Sequence, residues 1–339
     1  MGDAGWQNMW TPGAYDPNIK WETTTTYNVG VDFGFLGDRI TGNVDAYLRN
    51  TDDLLNSVLT PMGSNFGNTV LTNVGSMQNK GLEFALNVIP IETNDWHLSI
   101  GVNGTFQDTK FTKLNATDDE NYYIQTSGIS GKTGSYIGRH QVGYAPYSYW
   151  TFKQLYDADG NPIQNAFVDL NDDGKIDGSD KYCAGDPNPD FYYGLNVKLS
   201  YRNWDFGFNG HGSFGYKVFN DFAQNHSSAY FDVNSGALPN FATVVKRTGF
   251  TQINSDYQPF SDLFLEDASF FRMDDINVGY TFKEIGQWAG NIRIAASCQN
   301  VFVLTKYSGI DPEINSTDGV DRTFWPRPRT FSVRLNVNF

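Results

Sequence analysis

Residues Arg329–Phe339 read RTFSVRLNVNF, with Phe331, Val333, Leu335, Val337 and Phe339 at every second place and Thr330, Ser332, Arg334, Asn336 and Asn338 between them. Successive side chains on a strand point to opposite faces, so this alternation predicts a β-strand with one apolar and one polar face. A lone strand does not say which face meets water, and the rest of the chain has to decide that. The same pattern runs through Tyr27–Phe35, Ile40–Leu48, Leu82–Val88, Trp96–Phe106, Leu195–Tyr201, Trp204–Phe208, Ala268–Lys283 and Ile292–Leu304. With Arg327–Phe339 these make about nine strands. Near Asp274-Asp275 the alternation slips by one residue, which predicts a β-bulge. Helical periodicity is confined to Phe219–Ala229 and part of Leu238–Arg247, where short helices are expected.

The connections carry more information than the strands. Gly37-Asp38, Glu92–Asp95, Arg202-Asn203 and Glu284–Asn291 are short, whereas Pro61–Gly67, residues 112–189, Lys217–Asp267 and Thr305–Pro326 are mostly much longer. Short and long links alternate, so all short turns fall at one end of the sheet, as in transmembrane β-barrels. Trp96, Trp204 and Trp288 lie at or beside the short turns, where an interfacial aromatic girdle belongs. A soluble β-sandwich also alternates. Its strands, however, usually run to about 5–6 residues, and the polar positions here are rich in Asn, Gly, Ser and Thr, as suits a water-filled lumen. The alternative is a secreted, Ca²⁺-stabilised β-rich binding or adhesion module, which would need no detergent.

Composition removes other classes. A net charge of −14 argues against nucleic acid, whose phosphates demand clustered Lys and Arg. Cys183 and Cys298 are far apart with unlike neighbours, so neither a disulfide framework nor a thiolate metal site is expected. No run of about 18 apolar residues is present to form a transmembrane helix. The start, MGDAGWQNMWTPGAYDP, lacks the basic and apolar regions of a signal peptide. It reads either as cytoplasmic or as a chain whose true beginning lies far upstream. No GxSxG, HExxH, P-loop or dinucleotide motif appears, and the four histidines show no ligand spacing, so no enzyme is expected. His97 and His211 fall on polar faces of strands.

One local motif carries site chemistry. In DLNDDGKIDGSD, Asp169, Asn171 and Asp173 stand at positions 1, 3 and 5 of an EF-hand-like loop. Gly174 follows at the sharp turn, Lys175 would offer its carbonyl at position 7, and Asp177 and Asp180 occupy positions 9 and 12. Converging hard oxygens are the ligands Ca²⁺ takes, and carboxylates packed this closely would repel without a cation. A structural Ca²⁺ is therefore expected. Asp at position 12, instead of the longer Glu, weakens the match, and an ion-free Asp/Asn/Gly turn is the competing reading. The loop aromatics Tyr122, Tyr123, Tyr147, Tyr149 and Trp150 are of a type that stacks on sugars or packs a long loop, and no substrate role is assigned to them.

Several longer words resemble one family in order and spacing. They are DPNIKWETTTTYNVGVDFGFLGDRITGNVDAYLRNTDDLL (Asp16–Leu55), LTNVGSMQNKGLEFALNV (Leu71–Val88), FVDLNDDGKIDGSDK followed by GDPNPDFYYGLN, NVFVLTKYSGIDPEI and RPRTFSVRLNVNF. The chain resembles the SusC/RagA-type TonB-dependent outer-membrane transporters of Bacteroidetes from about Tyr15 to Phe339. The resemblance implies an all-β fold, an antiparallel meander forming an arc of an outer-membrane barrel of about 22 strands. Residues 112–189 would be a long extracellular loop. It further implies import of oligosaccharides, or less often peptides, with a SusD-like surface lipoprotein as partner. TonB would act through a plug that this sequence does not contain, because residues 1–339 match only the C-terminal part of the barrel. Phe339 matches the terminal aromatic read by the outer-membrane assembly machinery.

Overall fold

In a computed structural model of the chain, residues 13–338 are described apart from 60–66, 68, 115–118, 120, 132–133, 231–239, 284–289, 315 and 324. Nine strands form one antiparallel sheet in chain order. They are β1 (Thr23–Phe35), β2 (Ile40–Leu59), β3 (Thr69–Glu92), β4 (Trp96–Lys113), β5 (Phe191–Tyr201), β6 (Trp204–Phe214), β7 (Phe270–Lys283), β8 (Asn291–Thr305) and β9 (Thr330–Asn338). Each of the nine alternating runs has become a strand of this sheet.

Register converts the alternation into two surfaces. Phe35, Ile40, Val88, Ile100, Val197, Phe208, Ile276, Cys298 and Phe331 are paired in one row across all nine strands. One residue along, Gly34, Thr41, Asn87, Gly101, Asn196, Asn209, Asp275, Gln299 and Thr330 form the adjacent row on the opposite face. One face is thus apolar from edge to edge and the other is polar. The apolar face is uncovered by protein, with Val31 64 % and Val333 81 % exposed. Water does not tolerate an apolar surface of that extent, and lipid does.

The slip at Asp274 is a bulge that keeps this sorting intact. Met273 pairs with Gly210 and Phe302 on the apolar face, while Asp275 pairs with Asn209 and Gln299 on the polar one. Without the extra residue, positions 273 and 275 would point the same way.

On the apolar face several rings lie against glycines of the neighbouring strand. A Cβ at Gly42 would come within 2.7 Å of the Phe33 ring, one at Gly104 within 2.8 Å of Phe84, and one at Gly212 within 2.7 Å of Tyr193. At the short-turn end the Trp96 and Tyr201 rings pack at a tilt with centres 4.1 Å apart, and Trp204 meets Tyr280 at 4.8 Å. These form the expected girdle, while Trp288 lies outside the described residues.

The buried core lies mostly in the long connections, joined by strand residues such as Phe111 and Phe270 at the long-loop end of the sheet. Ile129, Tyr149, Phe219, Phe250, Phe264 and Val320 cluster in a cap above the long-loop end of the wall. Water-facing segments need a core of their own, and the sheet does not supply one. Four short strands, Tyr123–Gly128, Tyr136–Gln141, Ser148–Phe152 and Lys181–Cys183, build one cap sheet. Two short helices complete the cap, α1 (Asp221–Asn225), capped by Asn220, and α2 (Val245–Thr248), stopped by Gly249 at φ 67°. α1 lies within Phe219–Ala229, and α2 overlaps the end of Leu238–Arg247 and runs one residue past it.

Candidate functional site

The polar face carries a network of charges where the wall meets the cap. Arg272 of β7 is 3 % exposed. Its Nη2 donates to Asp311 Oδ1 at 2.5 Å, its Nε to Glu313 Oε2 at 3.1 Å and its Nη1 to Asn300 Oδ1 at 2.7 Å. Arg327 Nη1 reaches Glu313 Oε2 at 2.8 Å. His211 of β6 lies between the bulge residue Asp274 (2.6 Å) and Glu313 Oε1 (3.3 Å). The local sequence explains the shape. Pro312 biases the residue before it to extended backbone, which favours a common direction for side chains two apart, and Asp311 and Glu313 both reach Arg272. Tyr216 Oη adds a bond to the Pro312 carbonyl at 3.1 Å. The described residues of 307–327 are thereby strapped to the wall.

Glu313 lies in this strap, outside the membrane strands. Burial pushes its carboxyl up, but the hydrogen bond from His211 and the charges of Arg327, His211 and Arg272 outweigh that, so its pKa lies below the usual 4.5. A depressed carboxyl stabilises the fold above its unfolded pKa and loses that contribution as pH falls through the folded value. Hydrogen exchange across 307–327 should therefore stay slow from neutral pH to about 4.5 and quicken below it. In Glu313→Gln this acid step should shrink.

Residues 3–301 match the family model of the TonB dependent receptor-like β-barrel. The chain belongs to that family. It is 40 % identical to TonB-dependent receptor SusC of Bacteroides thetaiotaomicron over 97 % of its own length and 33 % of that protein's. It is 28 % identical to TonB-dependent receptor P3 of Formosa agariphila, over 95 % of this chain and 34 % of that one. The structure of the RagAB peptide transporter superposes on 96 % of the chain and 36 % of its own with a TM-score of 0.75 at 21 % identity, a likeness of fold. The chain thus spans about a third of the length of these relatives. Membership makes it an outer-membrane β-barrel protein of a receptor family, not an enzyme, and identifies the medium on its apolar face as lipid.

The EF-hand-like loop of this TonB-dependent receptor holds its carboxylates against the backbone. Gly174, at φ 80°, donates its N–H to Asp169 Oδ2 at 2.7 Å. Asp173 Oδ1 accepts from Lys175 N and Asp177 Oδ1 from Ser179 N, both at 2.8 Å. Asn171 Oδ1 accepts from Asp173 N at 3.2 Å. Asp180 has no exposed surface, and the backbone N–H groups of Asp177 and Leu170 hold its carboxyl below the ordinary range. Among the described residues no group of three His, Cys, Asp or Glu side chains is gathered as a metal site. One ligand atom is nevertheless left over, because Asp169 Oδ1 is buried without a partner. The donor set is all oxygen, which suits Ca²⁺ in type.

Phe339 lies outside the described residues. Of the loop aromatics, Tyr149 is fully buried and donates its hydroxyl to the Gly319 carbonyl at 2.8 Å, a packing role. The charge network escaped the residue-by-residue reading. Asp311, Glu313 and Arg327 stand inside the family words, and His211 on a polar face, but only the fold brings them to Arg272.

Proposed function

We propose that the chain forms the C-terminal part of the barrel of a TonB-dependent transporter that imports oligosaccharides, with peptides as the other cargo class. The observation that carries this reading is the two-faced wall, lipid-facing outside and lined with Asn, Gly, Ser and Thr inside, beneath a folded cap. A polar lumen of amides and hydroxyls suits a ligand rich in hydroxyl groups. The 40 % identity to SusC supports a partnership with a SusD-like surface lipoprotein. TonB would deliver energy through a plug, and the wall would serve as its fixed housing. The test is deletion of the gene followed by growth on, and uptake of, labelled oligosaccharides, with affinity capture of the receptor to identify a lipoprotein partner. Uptake unchanged in the deletion strain would refute the reading.

Phe339 is proposed as the terminal aromatic read during barrel assembly. Phe339→Ser should lower the receptor's outer-membrane abundance while any assembled receptor keeps its ligand affinity, as surface labelling beside binding assays would show.

The loop Asp169–Asp180 is proposed to hold one structural Ca²⁺ through Asp169, Asn171, Asp173, the Lys175 carbonyl, Asp177 and Asp180. The unpartnered Asp169 Oδ1 supports this, and binding would require Asp173 and Asp177 to turn from backbone N–H groups toward the ion. Calorimetry on the receptor in detergent should show one site, abolished by Asp169→Ala with Asp173→Ala. No heat at about millimolar Ca²⁺, the weak end for extracellular modules, would leave the loop a plain turn.

A further inference from the structure

Arg139 stands out on the cap sheet. It lies on the strand Tyr136–Gln141, opposite Gln125 on one side and Ser148 on the other. Its guanidinium carbon is 4.1 Å from the centre of the Tyr123 ring and 4.3 Å from that of Trp150. Both rings lie over the cation, and a guanidinium donates hydrogen bonds only in its own plane. Stacking therefore leaves the N–H edge free, and Arg139 has no hydrogen-bond or ion-pair partner among the described residues.

A second cation shares this situation. Lys181, on the strand that pairs with Ser148–Phe152, holds its Nζ 4.0 Å over the Phe260 ring and 5.1 Å over Phe152. It too has no carboxylate or carbonyl partner among the described residues. The register places Arg139, Trp150, Phe152 and Lys181 on one face of the sheet. Half-buried cations are costly to leave unpaired, and the chain carries 38 acidic against 24 basic residues from which partners might have been drawn. Neither cation uses one. An anion from outside would pair both.

We propose that Arg139, clasped by Tyr123 and Trp150, acts with Lys181 as a receptor for the carboxylate of an acidic oligosaccharide, a uronate-bearing glycan. This rests on the glycan-import reading and adds the charge class of the cargo. Arg139 lies on an inner strand of the sheet, and Tyr123 and Gln125 of the neighbouring edge strand present side chains from the same face, so the contacts offered are side-chain ones and not the main-chain hydrogen bonds an extended peptide takes. Tyr123 keeps 41 % of its surface exposed and Gln125 on the same face is exposed, offering ring and amide surface to a pyranose beside the carboxylate. Arginine's planar fork matches a carboxylate with two parallel bonds, and the rings hold that fork in position before the ligand arrives.

The test is calorimetry on the receptor in detergent with trigalacturonate, its neutral counterpart trigalactose and triglutamate. Trigalacturonate should bind at least about tenfold more tightly than the other two, with an advantage that shrinks at high salt. Arg139→Lys keeps the charge but loses the fork, and should weaken trigalacturonate about tenfold without changing the thermal melting of the receptor. Arg139→Gln with Lys181→Gln should make the acidic and neutral sugars equivalent. Equal binding of trigalacturonate and trigalactose by the unmodified receptor would overturn the proposal while leaving glycan import intact. Triglutamate binding as tightly as trigalacturonate would overturn the saccharide assignment in favour of an acidic peptide. Absence of binding by either sugar would overturn this proposal, and uptake unchanged in the deletion strain would mark the import reading as the cause.

Discussion

Arginine in place of Val197 should cost the barrel about 2–4 kcal/mol of folding stability in a bilayer, the range for a cation near the midplane of a lipid-facing wall. Val197 pairs with Ile100 and Phe208 in the row that crosses all nine strands. It lies four residues from Tyr201, which packs in the girdle at the short-turn end, close to mid-span. Asn196→Arg, one residue away, points to the lumen and should cost far less. Denaturant titration in liposomes, read by heat-modifiable gel mobility, compares the two. Equal losses at 196 and 197 would mean that the apolar face does not meet lipid.

Arg272→Ala should cost about 3 kcal/mol locally, because breaking a buried pair leaves its partner carboxylate with only the Glu313 N–H and the more distant Arg327 to compensate it. The partner is Asp311, 4 % exposed. The effect should be confined to the strap, so hydrogen exchange across 307–327 should rise sharply while the membrane strands stay protected. Arg272→Met combined with Asp311→Leu should recover much of the loss, since the under-compensated buried carboxylate is removed with its partner. Glu313 would still hold Arg327 and His211. Unchanged exchange in the alanine variant would show that other contacts secure the strap.

What the sequence disclosed and what it withheld divide along range. The strands were legible because a two-residue period is local, and even the bulge at Asp274 showed as a slip in that period. The lipid side could not be read from Arg329–Phe339 alone. It emerged from the alternation of short and long links and became a surface only when Phe35 through Phe331 were aligned by register. The cap core was not legible. Its strands are too short for alternation to register, and Ile129, Tyr149, Phe219 and Val320 come from separate connections. The Arg272 network was hidden for a related reason. Asp311 lies 39 residues beyond Arg272, and no local period links the two. For the Asp169–Asp180 loop, spacing supplied the donors but not the direction of each carboxylate. The same limit applied to Arg139, whose stacking partners were visible only as loop aromatics.

The glycines beneath the outer rings bear on how this wall tolerates change. A side chain bathed in acyl tails has a fluid neighbour, so such positions ordinarily accept almost any hydrocarbon. Gly42, Gly104 and Gly212 do not follow that rule, because Phe33, Phe84 and Tyr193 already occupy the space a methyl group would take. The outside of the barrel therefore behaves in places like a protein interior, and alanine, the mildest of replacements, would lift a ring from its seat. Substitution surveys should find these glycines as intolerant as core residues, though each looks out onto solvent-like lipid.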